Sequence, residues 1–169
     1  MAIIISSILT VFIAGLSTGG LLVSRRIDPH QTVFLVVGLA FFLFSYIGMF
    51  LGSKSSGFIS HGAFSIFFGL FCFGLIGFLV WKYDPSFGFV KQEPATLSIF
   101  VAFFLLLGFE LGVLELSLWF TLFGFLFFVG GLIVGFMFIY QIIQRHRSPQ
   151  FFALIPLIPL LFIGLFKLI

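Results

Sequence analysis

Charge is what this chain has least of. Only 8% of its 169 residues are Asp, Glu, Lys or Arg, against roughly 25% in an ordinary soluble domain. That deficit excludes a water-soluble surface. Cysteine is almost absent too: the lone Cys72, set between Phe71 and Phe73, excludes an intrachain disulfide and a cysteine-built metal site. No polar stretch is long enough to fold into an extramembrane domain. Catalytic signatures are also missing, with no H-E-x-x-H, no G-x-S-x-G, no phosphate-binding glycine loop and no cysteine pair. The chain therefore reads as a non-enzyme. Its net charge of +3 is small and its basic residues fall in short loops, which argues against nucleic acid as a partner.

What remains is apolar: 62% of the residues are hydrophobic and 30 are phenylalanine. A hydrocarbon core of about 30 Å needs about 20 apolar residues per helix at about 1.5 Å each. Segments of that order recur at about 3–23, 32–51, 58–81, 95–114, 117–143 and 151–168. The expected fold is an all-α, polytopic transmembrane bundle of six spans in a single integral membrane domain. The first segment has neither a basic leader nor a small-x-small cleavage pattern before Arg25 and Arg26, so it reads as a retained helix.

Three loops share a grammar of cation, spacer, Asp or Ser, then proline: Arg26-Ile27-Asp28-Pro29, Lys82-Tyr83-Asp84-Pro85 and Arg147-Ser148-Pro149. Each supplies a helix N-cap and a first-turn proline, which suggests three sequential helical hairpins. The same side carries Arg25, Arg26, Lys82, Lys91, Arg145 and Arg147, while Lys54 and Lys167 lie on the other. The positive-inside rule then places those six cations at cytoplasmic headgroups and both termini on the non-cytoplasmic face. Small-residue steps at Gly15/Gly19, Gly48/Gly52, Gly108/Gly112 and Gly131/Gly135 have the spacing that lets helix backbones approach in lipid.

Glu110 is the residue that fits lipid worst. A carboxylate at membrane depth costs on the order of 2–3 kcal/mol on insertion scales, so it is expected to face the bundle, be protonated or hold a partner. Of the cations on its side, Lys167 is placed to snorkel toward it. Glu110, with Glu115, is thus the candidate ion or proton site. Five residues separate the two, so on one helix they diverge by about 140°, and they converge only if the chain turns between them. Glu115 is also well placed to cap the start of the fifth segment. Pro156 and Pro159 each remove a backbone donor, predicting a kinked or unwound last helix and a possible gate. His30, His61 and His146 all fall at segment ends. Haem would need His30 and His146 together, a poor match to solvated loop histidines, and no cofactor is otherwise indicated.

One local resemblance concerns Val23-Ser24-Arg25-Arg26-Ile27-Asp28-Pro29-His30-Gln31-Thr32-Val33-Phe34-Leu35. Followed by an apolar helix, it resembles the junction between the first two helices of the subunit-six family of respiratory complex I, which implies a membrane subunit of a respiratory assembly. The chain departs from that family at Phe67-Phe68-Gly69-Leu70-Phe71-Cys72-Phe73-Gly74, where a tyrosine-valine-glycine-alanine run belongs, and it has one segment too many. The functional expectation from the residues themselves is a non-catalytic membrane subunit that packs against lipid, an apolar cofactor, other subunits or copies of itself. The alternative is a small ion- or proton-coupled transporter or channel built on Glu110 and the Pro156/Pro159 break.

Overall fold

A helix in hydrocarbon satisfies its own backbone polar groups, which is why apolar segments of this kind become helices and little else. The computed structural model describes residues 2–23, 31–83, 94–145 and 154–168. It contains α1 (Ala2–Leu21), α2 (Gln31–Ser55), α3 (His61–Trp81), α4 (Pro94–Val113), α5 (Trp119–Arg145) and α6 (Leu157–Leu168). There is no strand among the described residues. The first five helices are long and apolar enough to cross a membrane, whereas α6 has 12 residues, a rise of about 18 Å.

The ends of the helices show local chemistry at work. Ser60 caps α3, its hydroxyl accepting from the Ala63 amide at 3.4 Å, and Pro94 opens α4 where a missing N–H costs nothing. At the other end of α4 the Glu115 amide donates to the Gly112 carbonyl at 2.9 Å and the Leu116 amide to Leu111 at 3.3 Å. That double bond pattern needs a left-handed residue, and Glu115 supplies it with φ 53°. Three boundaries differ from expectation. Helix α2 runs on to Ser55 through the small residues expected to break it, with the Ser53 and Ser55 hydroxyls donating back to the Phe50 and Leu51 carbonyls. Helix α3 starts at its Ser60 cap and not at Phe58. In the segment expected to be kinked or unwound, Leu154–Pro156 form a turn and α6 begins at Leu157, with residues 151–153 outside the described set.

Glycine decides which helices meet. The closest pairs are α2 with α4 and α1 with α5, followed by α3 with α6. Sequential hairpins are therefore not the packing units, and the loops that suggested them lie largely outside the described residues. A methyl added at Gly15 or Gly19 would fall 2.2 or 2.0 Å from the Phe128 or Leu132 carbonyl oxygen, and one at Gly135 would fall 2.0 Å from that of Leu16. In the second pair a methyl added at Gly48 would fall 2.0 Å from the Leu105 carbonyl oxygen, and one at Gly108 2.0 Å from that of Ser45. Contacts advance in the same direction along both partners, so each of these pairs is parallel. All four small-residue steps are used.

Phenylalanine then joins the pairs. Phe41 of α2 stacks on Phe128 of α5 with centroids 3.9 Å apart, and Phe104 of α4 meets both edge-on at 5.6 and 5.3 Å. Phe68 of α3 lies on Phe103 of α4 at 6.0 Å. Helix α6 runs antiparallel to α3, with Gly69 against the Gly164 carbonyl and the Ser65 hydroxyl donating to the Lys167 carbonyl at 3.0 Å. At its other end the buried Ser17 hydroxyl of α1 donates to the Pro156 carbonyl at 2.7 Å. Irregular backbone inside the bundle thus has a side-chain partner.

Because Gly135 faces backbone, while a methyl at Gly74 of α3 would meet nothing within 4 Å, alanine separates their roles. Gly135→Ala is expected to destabilise the bundle by about 2 kcal/mol through overpacking. Gly74→Ala is expected to be neutral or mildly stabilising, by up to about 1 kcal/mol of helix propensity. Thermal unfolding in detergent followed by circular dichroism compares them; equal effects would mean that the crossing is not close-packed.

Candidate functional site

Four helices converge where α4 and α6 end and α1 and α3 begin. Glu110 lies one turn before the end of α4 and is 3% exposed. A carboxylate near a helix C-terminus faces the wrong end of the dipole, so it depends on a cation. Lys167, in the last turn of α6 and itself buried, donates from Nζ to Glu110 Oε1. The hydrogen bond from Ser65 to the Lys167 carbonyl fixes the end of α6 against α3 and so aims the ammonium. His61, the first residue of α3, brings Nε2 to 3.9 Å from the same Glu110 oxygen, with its side chain 47% exposed.

The pairing of Glu110 with Lys167 anticipated from sidedness is therefore present. Its energetics are those of a buried pair: the two desolvation penalties are large, the attraction offsets them only while both partners stay, and removal of one is strongly destabilising. A recess of about 360 Å³ opens beside the pair, bounded by Ser6 of α1, His61 and Ser65 of α3, and Phe166 and Lys167 of α6. Chemically the group offers a carboxylate hydrogen-bonded by an amine, with an imidazole 3.9 Å away on the accessible side.

Glu115 does not join it. The residue is exposed on the turn after α4 and serves as the left-handed closing residue of that helix, not as a cap for α5, so the two carboxylates do not converge. His61 is the member that sequence reasoning set aside as a solvated loop histidine. Its signal was available, since it falls on the same side as Glu110 and Lys167, but its distance to the carboxylate depends on which helices pack together. Pro156 ends the turn before α6 and Pro159 is the third residue of that helix. Lys82 closes α3 with Nζ 5.8 Å from the Trp81 ring centroid, an interfacial arrangement. Arg25, Arg26, Lys91, Arg147, His30 and His146 lie outside the described residues, as does the side chain of Arg145. Among the described residues no cluster of His, Cys, Asp and Glu has the makings of a metal site.

Lys167→Met strands the carboxylate and is expected to cost about 3–5 kcal/mol. Adding Glu110→Gln to Lys167→Met is expected to restore most of that loss, because the uncompensated charge goes with it. Thermal unfolding of the two single variants and the double variant closes the cycle; strictly additive losses would show that the two groups are not coupled.

Compared with protein-family models, curated proteins and solved structures, the chain matches none of them, and the complex I resemblance at 23–35 gains no support there.

Proposed function

We propose that this chain is a non-catalytic integral membrane subunit, working through its outer surface within a larger membrane assembly. The observation that carries the reading is how the described polar groups are used. The Glu110 carboxylate is matched by Lys167, the Pro156 carbonyl by Ser17 and the Lys167 carbonyl by Ser65; among described buried side chains the Thr96 hydroxyl alone lacks a partner. Polar chemistry is spent on holding helices together. The outward faces are broad and apolar, with Leu35, Leu39 and Leu43 exposed on α2 and Phe123, Leu126 and Phe138 on α5. An apolar cleft of about 130 Å³ between α1, α2 and α4, bounded by Leu22, Val37, Leu97 and Phe104, adds a place for a lipid tail or an apolar cofactor. Mild detergent extraction followed by native mass spectrometry is expected to show the chain with other membrane proteins. A protein that always runs alone, or only with copies of itself, refutes the reading.

A transporter or channel is the second reading, favoured by one specific arrangement: a buried carboxylate with a lysine on it and an imidazole 3.9 Å away, at one end of a helix that starts inside the bundle. On this reading Glu110 exchanges Lys167 for a proton or cation, and the break at Pro156 and Pro159 is the gate. Glu110→Gln in liposomes is then expected to lower flux by at least about tenfold, a loss of about 1.4 kcal/mol in transition-state terms. Unchanged flux removes Glu110 as the coupling site, and a wild type without flux favours the subunit reading.

Both readings carry the same orientation, six crossings with the basic loops cytoplasmic and both termini outside. Since Cys72 is fully buried, a cysteine placed by Ala2→Cys reports alone. It is expected to react with an impermeant maleimide added outside; labelling solely from the cytoplasm inverts the topology.

A further inference from the structure

The recess beside the ion pair has two unlike walls. One is polar, made by Ser6, His61 and Lys167, and it meets the start of α3, where a methyl on Gly62 would meet nothing within 4 Å. The other is apolar and outward-facing, made by Ile66, Phe166 and Leu168, each of which is exposed. An ammonium has three donors, and Glu110 Oε1 is the acceptor that the described residues give to Lys167 Nζ. The lysine is buried and forms part of the recess wall, while Glu110 lies behind it and is not among the lining residues. A buried lysine, a half-exposed histidine and Ser6 thus line one space at the start of α3.

We propose that this recess binds the phosphate group of a membrane lipid, its oxygens accepting from Lys167, His61 and Ser6 and its acyl chains following Ile66, Phe166 and Leu168 into the bilayer. Charged donors suit a phosphate oxygen better than a neutral ester, because charge-assisted hydrogen bonds are the stronger ones. Neighbouring apolar side chains at the helix ends suit a lipid better than a soluble anion, which gains nothing from them. The inference is independent of whether the chain is a subunit or a transporter.

The test uses the full chain, delipidated in detergent and offered three probes: phosphatidylglycerol, a diacylglycerol with the same tails, and inorganic phosphate. Native mass spectrometry is expected to show a single phosphatidylglycerol retained, with a raised unfolding midpoint, and no such retention of diacylglycerol. Gly62→Leu fills the recess from open space, so it is expected to leave the lipid-free midpoint unchanged while weakening phosphatidylglycerol binding about tenfold; His61→Ala is expected to weaken it in the same direction. Equal retention by wild type and Gly62→Leu, or diacylglycerol bound as well as phosphatidylglycerol, overturns the proposal. An equal midpoint shift from inorganic phosphate alone overturns the lipid as source and assigns the recess to a free anion.

Discussion

Apolar side chains gain little by leaving lipid for one another, so a helical bundle in hydrocarbon is held most firmly where backbones come within van der Waals reach. Here that happens along two parallel crossings, Gly15 and Gly19 against Gly131 and Gly135, and Gly48 and Gly52 against Gly108 and Gly112. Everything else is placed relative to them. With α1 on α5 and α2 on α4, the ring cluster of Phe41, Phe104 and Phe128 falls between the pairs, where its large area is buried completely or nearly so. Small residues within pairs and large ones between them are two halves of one packing solution.

The polar groups answer to a second constraint, the absence of water as a hydrogen-bond partner. Helix α6 shows it best, because it is the shortest described helix, with 12 residues, and is fixed at both ends by polar contacts: Ser17 to the Pro156 carbonyl at one, Lys167 to Glu110 and Ser65 to the Lys167 carbonyl at the other. These contacts also gather the ionisable side chains at a single end of the bundle, beside the recess. Structure and candidate chemistry thus share the same residues, which is why Lys167 supports both the bundle and any site beside it.

Much of this was legible from residue type alone. Apolar length marked out six helices, the last with an earlier start than it has, the glycine spacing identified the four faces of the two close crossings, and counting cations by side left Lys54 and Lys167, of which Lys167 was placed to reach Glu110. What was not legible depends on the third dimension. Spacing says that Gly15 and Gly19 approach a partner but not that the partner is α5. The serines after Gly52 look like a helix break until their hydroxyls are seen returning to carbonyls one turn back. Glu115 reads as a cap because an anion suits the start of a helix, and the bond pattern that puts it in a left-handed conformation at the end of α4 is invisible in the sequence. His61 was lost for the same reason as the helix pairing: its importance lies in a distance across α3, α4 and α6.

The pairing of non-adjacent helices sets an order of assembly. A chain made from its N-terminus can close the α2–α4 crossing as soon as α4 is complete, but α1 must wait for α5 and α3 must wait for α6. Glu110 waits as well, since Lys167 follows it by 57 residues. During biogenesis the carboxylate therefore meets the bilayer before its ammonium exists. Until α6 arrives it must be carried as a neutral acid, or remain at the headgroups within reach of water. The last helix to be made is the one that discharges that debt.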